Sequence, residues 1–404
     1  MKKLKYIILP ILIGVAFAFG LNQYLNKKNT EMLQTKDLYM MLHDTKSLVK
    51  DKGVFANNHL MKNGDIMMLG SSELSHSTKQ HPDYYFNTGR TKNKVITVGR
   101  AYTQTLQDAS IVGSLDNNIP EKKVVLLLSM QWFMDKEGVS SHHFQTRFSP
   151  IQFYRFLDNP KISDDVKYRY AKRVDELLKN PGEYRDEALY AKMYLDESAK
   201  GNVMRTMFNP YYSVRESMVA LKDKGITYKK LDSMYDKTEV NYNIKGKINW
   251  EEEMKKAQSD AEKRVGKKAE VLGGNRLYID KGYYRQYIHN KDDYFKDVYD
   301  YVDLTSSREF EDLSIFLDTC RDLGVKPTIV LIPGMNEFYD YTGIDKKDRT
   351  EFFDKVRKTI KPYDYNLVDL TKNETRRYYL RDVMHIGTVG WVDLCGQLYN
   401  IYER

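Results

Sequence analysis

Five short apolar runs, separated by segments of helical spacing, constrain this chain more than any other feature. Ile66-Met67-Met68-Leu69 stops at Gly70, Val95-Ile96-Thr97-Val98 stops at Gly99, and Lys122 to Leu128 leads into Ser129. Pro327 to Ile332 and Asn366 to Leu370 follow much later. The runs are continuous rather than alternating, the pattern of strands covered on both faces. Such strands alternating with helices predict a parallel α/β sheet. The helix expected before the fourth run has one apolar face, Phe310, Leu313, Phe316, Leu317 and Cys320. Ser306-Ser307-Arg308-Glu309 reads as its capping box and Gly324 as its C-cap.

Two stretches stand outside this pattern. No charge occurs between Lys5 and Lys27, and this stretch, with its apolar run from Tyr6 to Leu21, is long enough to span a bilayer. Lys2, Lys3 and Lys5 precede it, which predicts a cytoplasmic N-terminus and a body outside the cell, although Lys27 and Lys28 blunt the asymmetry. Ala16-Phe17-Ala18 has the form of a signal-peptidase site but lies inside the apolar run, so a retained anchor is expected rather than a cleaved signal. From about residue 140 to 300 the chain is rich in Tyr, Lys, Asp and Arg, helical in period, and punctuated by Pro160, Pro181 and Pro210. The expected division is an anchor over 1–28, a juxtamembrane helix over 29–50, and an α/β domain assembled from 51–135 and 301–404. A helical insertion over 136–300 would cover or shape its site.

Composition excludes some classes. The net charge is +8, three units of which are Lys2, Lys3 and Lys5, leaving a mildly basic body of +5. That is not the footprint of a nucleic-acid binder, and it suits proximity to anionic lipid or polymer. The two cysteines, Cys320 and Cys395, lie far apart and in no Cys-x-x-Cys, so buried free thiols are expected. Most of the 32 tyrosines read as packing. His142-His143 and the pair His76 and His81 match no metal-site spacing and read as solvated, so no metal and no cofactor is expected. Glu251-Glu252-Glu253 reads as a solvated helix face.

The chemistry concentrates at four blocks. Gly70-Ser71-Ser72 follows the first strand, and Gly99 ends the second. Ser129-Met130-Gln131-Trp132 follows the third, and Asp382-Val383-Met384-His385 precedes the last helix. Each can reach the carboxyl edge of one sheet, where α/β proteins build sites. Gly70-Ser71-Ser72 alone is equally an ordinary strand-to-helix turn capped by Ser71 or Ser72. With an acid and a base three residues apart at the other end of the chain, one of these two serines, Ser71 or Ser72, becomes the candidate nucleophile. His385 would be the base and Asp382 its orienting acid. Arg100 and Glu73 adjoin these blocks and either contact substrate or pair with neighbours.

This order of blocks resembles the SGNH (GDSL-like) hydrolase and acyltransferase superfamily. Gly-Ser-Ser-Glu-Leu, Val-Gly-Arg, Ser-x-Gln-Trp-Phe and Asp-x-x-His behind an N-terminal anchor look more closely like the DltD family, the D-alanyl transfer proteins of Gram-positive bacteria. The resemblance implies a three-layer α/β/α parallel sheet with a helical insertion, and an acyl-serine route to D-alanylated teichoic acid. It assigns the nucleophile to Ser72, with Ser71 the alternative, and the oxyanion hole to Gly99 and Gln131. Ser71 stands where the superfamily usually has Asp, and Gln131 where it has Asn. The implied partners are a polytopic membrane acyltransferase, a D-alanyl carrier or other acyl donor, and a teichoic acid acceptor. An O-acetyltransferase of an exopolysaccharide and a non-catalytic scaffold are the other readings. Transfer and hydrolysis share one acyl-enzyme, so the blocks do not separate them.

Overall fold

A computed structural model describes residues 2–44, 47–75, 78–237, 246–266 and 275–403. The five runs form one parallel sheet: β1 (Ile66–Leu69), β2 (Val95–Val98), β3 (Lys123–Ser129), β4 (Thr328–Ile332) and β5 (Asn366–Asp369), in the order β2-β1-β3-β4-β5. Ile66 sits opposite both Val95 and Lys123, Val125 opposite Thr328, and Thr328 opposite Asn366. β1, β2 and β4 are buried throughout and β3 in all but its first residue, which is why their sequences do not alternate. β2 and β5 are the edge strands, and of the two only β5 has exposed residues, Asn366 and Leu367.

Parallel strands need crossovers that pack back on the sheet with one hand. The chain steps from β1 outward to β2, then reverses past β1 to β3, so the two directions put helices on opposite faces. Helices Thr105–Gly113 and Glu309–Asp322 pack on one another, on one side. The Pro82–Phe86 and Thr388–Tyr402 helices share the other, where the Trp250–Val265 helix joins them. This is the three-layer α/β/α arrangement, and β1 lies at the point where strand order reverses. No strand lies among the described residues between Ser129 and Thr328.

Three local expectations are corrected. The Glu309–Asp322 helix has Gly324 just past its end at φ +68°, as its sequence suggests, but Glu309 does not close a capping box. Its buried carboxyl reaches across to the Thr105 amide at 3.0 Å, because the first turn of this helix faces the core instead of solvent. Glu251 and Glu252 are exposed, whereas Glu253 is buried and accepts from the Tyr85 hydroxyl at 3.0 Å. Thirdly, the N-terminal helix runs unbroken from Lys2 to Thr35, past the boundary expected at residue 28. Leu25, Asn29 and Leu33 recur every four residues on its buried face against the Ala199–Asp232 helix, and this packing carries the helix beyond the apolar run. Residues Leu9–Thr35 are apolar and long enough to cross a membrane. Both cysteines are buried and free.

Candidate active site

The chain leaves β1 through Gly70 into a single tight turn, Ser72–Ser75. Gly70 and Gly99 are adjacent: a Cβ on Gly99 would collide with the Gly70 carbonyl, and one on Gly70 would stand 2.6 Å from the Glu73 carboxylate. Both positions therefore exclude side chains by close approach. Glu73 Oε1 accepts from the Ser71 amide at 2.7 Å, and Ser71 Oγ donates to the Arg100 carbonyl at 3.2 Å. Ser71 is thus engaged with structure, and Ser72 Oγ is directed the other way, 2.8 Å from His385 Nε2.

The Asp382–His385 loop is built from its own atoms. Asp382 Oδ1 accepts from the Met384 amide at 3.0 Å and the His385 amide at 2.9 Å, and both its carboxyl oxygens lie 2.9 Å from His385 Nδ1. An isolated bridge between Leu380 and Ile386 closes the loop's neck. Burial would raise the Asp382 carboxyl, but the bond and charge of His385 and the two loop amides outweigh it and hold the group below the usual range. Asp382 is therefore an ionised acceptor, which fixes the proton on His385 Nδ1. The Nε2 lone pair is left to accept from the Ser72 hydroxyl. Side-chain exposure is 12% for His385 and 3% for Asp382.

The serine side has the opposite electrostatics. Burial raises the Glu73 carboxyl, with the Ser71 amide, its own amide and His385 opposing. Beneath it, burial and the neighbouring Glu73 and Glu309 push Asp108 well above the carboxylate range. Arg100 pairs with Asp51, whose carboxyl burial raises to about 6 against the pull of Arg100, Lys50 and Arg147. Glu73 and Arg100 both follow the neighbour-pairing expectation.

Gln131 lies on the Met130–Phe133 turn after β3, and its amide donates to the Tyr339 hydroxyl at 3.4 Å. Burial raises the Tyr339 phenol against the opposing Gln131 bond, with Tyr299 and Asp382 adding to the shift. Sequence reading missed Tyr339, although its place in the first helix after β4, Asn336–Thr342, is a signal for it. The Asp280 amide donates to the Arg381 carbonyl at 2.7 Å, a contact that no sequence pattern announced. His81 is buried, not solvated, with Nδ1 3.1 Å from Asp83 Oδ2. His143 stacks on Tyr102 at 3.5 Å, and His76 lies outside the described residues. Among the described residues no three His, Cys, Asp or Glu side chains are placed to hold a metal ion.

The fold and this geometry define a class: an α/β protein with a serine, histidine and aspartate hydrogen-bonded in series at the carboxyl edge of a parallel sheet. The DltD protein family model matches residues 43–403, and the chain belongs to that family. Protein DltD of Bacillus subtilis (strain 168) is 28% identical over 342 residues, 84% of this chain and 83% of that protein. Protein DltD of Staphylococcus aureus (strain NCTC 8325 / PS 47) is 28% identical over 401 residues, 96% of this chain and 94% of its own. Protein DltD of Lacticaseibacillus rhamnosus is 23% identical over 361 residues.

Proposed function

We propose that this chain is a membrane-anchored acyltransferase acting outside the cell, which moves D-alanyl groups to teichoic acid through an acyl ester on Ser72. Family membership supports the role in teichoic acid D-alanylation. The observation that carries the chemistry is the 2.8 Å contact of Ser72 Oγ with His385 Nε2, continued at 2.9 Å to Asp382. Ser72 Oγ attacks the acyl carbonyl as its proton passes to His385 Nε2. Collapse of the adduct expels the donor's leaving group, which takes that proton. An acceptor hydroxyl then gives its proton to His385 and attacks the Ser72 ester, and the second collapse restores the serine. The alkoxide would be held by an amide near Ser72, by Gly99 and by the Gln131 side chain.

The same reading assigns 51–135 and 301–404 to one catalytic domain and 136–300 to a lobe inserted in it. It gives the N-terminal helix to the bilayer, with its lysines on the cytoplasmic side. Its partners are then an acyl donor and a polytopic membrane acyltransferase that hands the acyl group across.

Ser72→Ala tests the reading. The half-buried hydroxyl contributes about 1 kcal/mol or less to stability, so the variant folds and remains anchored. A fluorophosphonate probe should add mass to Ser72 of the parent chain and to neither Ser72→Ala nor His385→Ala, read by intact mass and peptide mapping. An adduct on Ser71 would move the nucleophile by one residue. Unchanged teichoic acid D-alanylation in cells carrying only Ser72→Ala would sink the enzyme in favour of a scaffold.

A further inference from the structure

Past Gly99 the chain enters a patch of positive charge that the acyl-serine chemistry leaves unused. Arg147, the last residue of the Ser141–Arg147 helix, donates from Nε to the Ala101 carbonyl at 2.9 Å. Among the described residues its two terminal nitrogens make no hydrogen bond or ion pair. Lys52 Nζ donates to the Tyr184 hydroxyl at 3.4 Å and likewise has no carboxylate within ion-pair reach among the described residues. Arg100 is the third cation, and it is tied to Asp51. All three are half-buried.

These cations press on one another. Burial lowers the Lys52 ammonium, and Arg100 and Arg147 lower it further against Glu183 and Asp51. Burial lowers the Arg147 guanidinium, with Arg100 adding to it and Asp51 and Tyr102 opposing. Asp51 is already engaged by Arg100, and Glu183 is exposed, where water and salt screen it. Like charges gathered in a partly dry place cost free energy, which an anion bound between them would offset.

The patch also has a wall. Tyr102 is exposed, stands at φ +73°, a strained conformation for a tyrosine, and stacks on His143 with ring centroids 3.5 Å apart. Burial, His142 and Arg147 lower the His143 imidazole, so at neutral pH this wall is an uncharged ring pair. The Arg100 carbonyl accepts from Ser71 Oγ at 3.2 Å, so the loop that carries Arg100 and Tyr102 joins the cations to the serine turn.

We propose that Arg147 and Lys52 hold a phosphodiester of the teichoic acid acceptor, with Arg100 reinforcing the field, while a hydroxyl of a neighbouring repeat reaches the Ser72 ester. The proposal rests on the acyl-serine reading and adds to it the residues that bind the acceptor. A guanidinium presents paired donors to two phosphate oxygens, and an ammonium adds a point charge. The Tyr102 and His143 rings offer a flat surface to the carbon chain between phosphates. Two cations without acids of their own suit a chain charged at each repeat better than an acyl donor with a single charged group.

The test measures the affinity of the full chain, in detergent micelles, for a phosphodiester-linked glycerol oligomer by isothermal titration calorimetry, with uncharged polyglycerol as the comparison. Ser72→Ala is present throughout the titrations, so nothing turns over. Arg147→Gln and Lys52→Gln should each weaken binding about tenfold and flatten its salt dependence. Arg147→Lys, which keeps the charge, should bind better than Arg147→Gln. Lys326→Gln, at an exposed position just before β4 on the amino edge of the sheet, should change nothing. Lys52→Gln decides the case if Arg147→Gln unfolds without its bond to Ala101, because the Lys52 head group has only one long bond to lose. Equal affinity of the parent and both Gln variants overturns the proposal, as does equal affinity for the charged and uncharged oligomers. Fluorophosphonate labelling of Ser72, in chains that keep the serine, tests the underlying reading by itself. Labelling with no polymer binding overturns the acceptor site and leaves the acyl-serine standing. Binding with no labelling overturns the acyl-serine and, with it, the role given to the bound polymer.

Discussion

The serine turn and the acid–base loop meet across one hydrogen bond, yet they are made in contrasting ways. The serine turn is placed by distant parts of the chain: strands on both sides of β1, the close approach of Gly99 to Gly70, and a floor of buried carboxyls. The loop draws most of its bonds from residues 381–385, with one more from the Met335 amide to the Val383 carbonyl at 3.2 Å. Burial wins on the first side and raises its acids, while hydrogen bonds and charge win on the second and keep Asp382 ionised. A nucleophile needs a rigid position, and a base needs a fixed charge beside it. The two halves supply one requirement each.

The comparison breaks most sharply at Asp382→Asn. The shape survives, but the charge that holds His385 in its reactive tautomer is lost, and turnover should fall by about 10⁴-fold with a smaller change in substrate affinity. Steady-state acyl transfer checks this; an unchanged rate with a lowered melting temperature would make the loop merely structural. Next in size is Gln131→Ala. A side-chain donor to the alkoxide is worth about 10²–10³ in rate, so a comparable loss at near-normal stability is expected. A normal rate would mean that the amide serves only Tyr339.

Smaller effects concern stability and its pH dependence. The folded Asp51 carboxyl titrates near 6 against 3.8 for the free group, so between those values the native state binds more protons than the unfolded one. Stability contributed here is greatest below pH 3.8 and declines as pH rises to about 6. Asp51→Asn should remove that decline, at most about 3 kcal/mol, in urea titrations from pH 4 to 7. Asp382 carries the opposite sign: its stabilisation is present above pH 3.8 and is lost as the pH falls below it. A wild-type slope retained by Asp51→Asn would reassign the effect. Least in size, Gly70→Ala forces a methyl against Glu73 and 3.3 Å from Leu127 Cβ, for about 1–3 kcal/mol, measured by denaturant midpoint.

The same contrast decides what could be read beforehand. Strands β1 to β4 were legible because burial on both faces leaves an unbroken apolar run, and Asp-x-x-His was legible because its geometry is local. Ser72 over Ser71 rested on resemblance; the engagement of Ser71 with Glu73 and Arg100 is a tertiary fact. Glu253, Glu309 and His81 look like surface residues in sequence, and only their partners Tyr85, Thr105 and Asp83 reveal them as buried. Tyr339 and Asp280 reach the site from separate segments, and no spacing rule connects them to it.

The bridge between Leu380 and Ile386 has a mechanical consequence. It makes the acid–base loop a closed ring on a narrow stem, so a displacement of the stem would carry the internally bonded acid and base together. Tilting would give up the contact between Ser72 and His385, the bond from the Met335 amide to the Val383 carbonyl at 3.2 Å, and the burial of Val383 and Ile386. The Arg381 carbonyl is tied to the Asp280 amide at 2.7 Å, so pressure on the segment around Asp280 pulls on the stem of the ring. The nucleophile and its activating loop therefore have separate supports, and the loop answers to the segments around Asp280 and Met335.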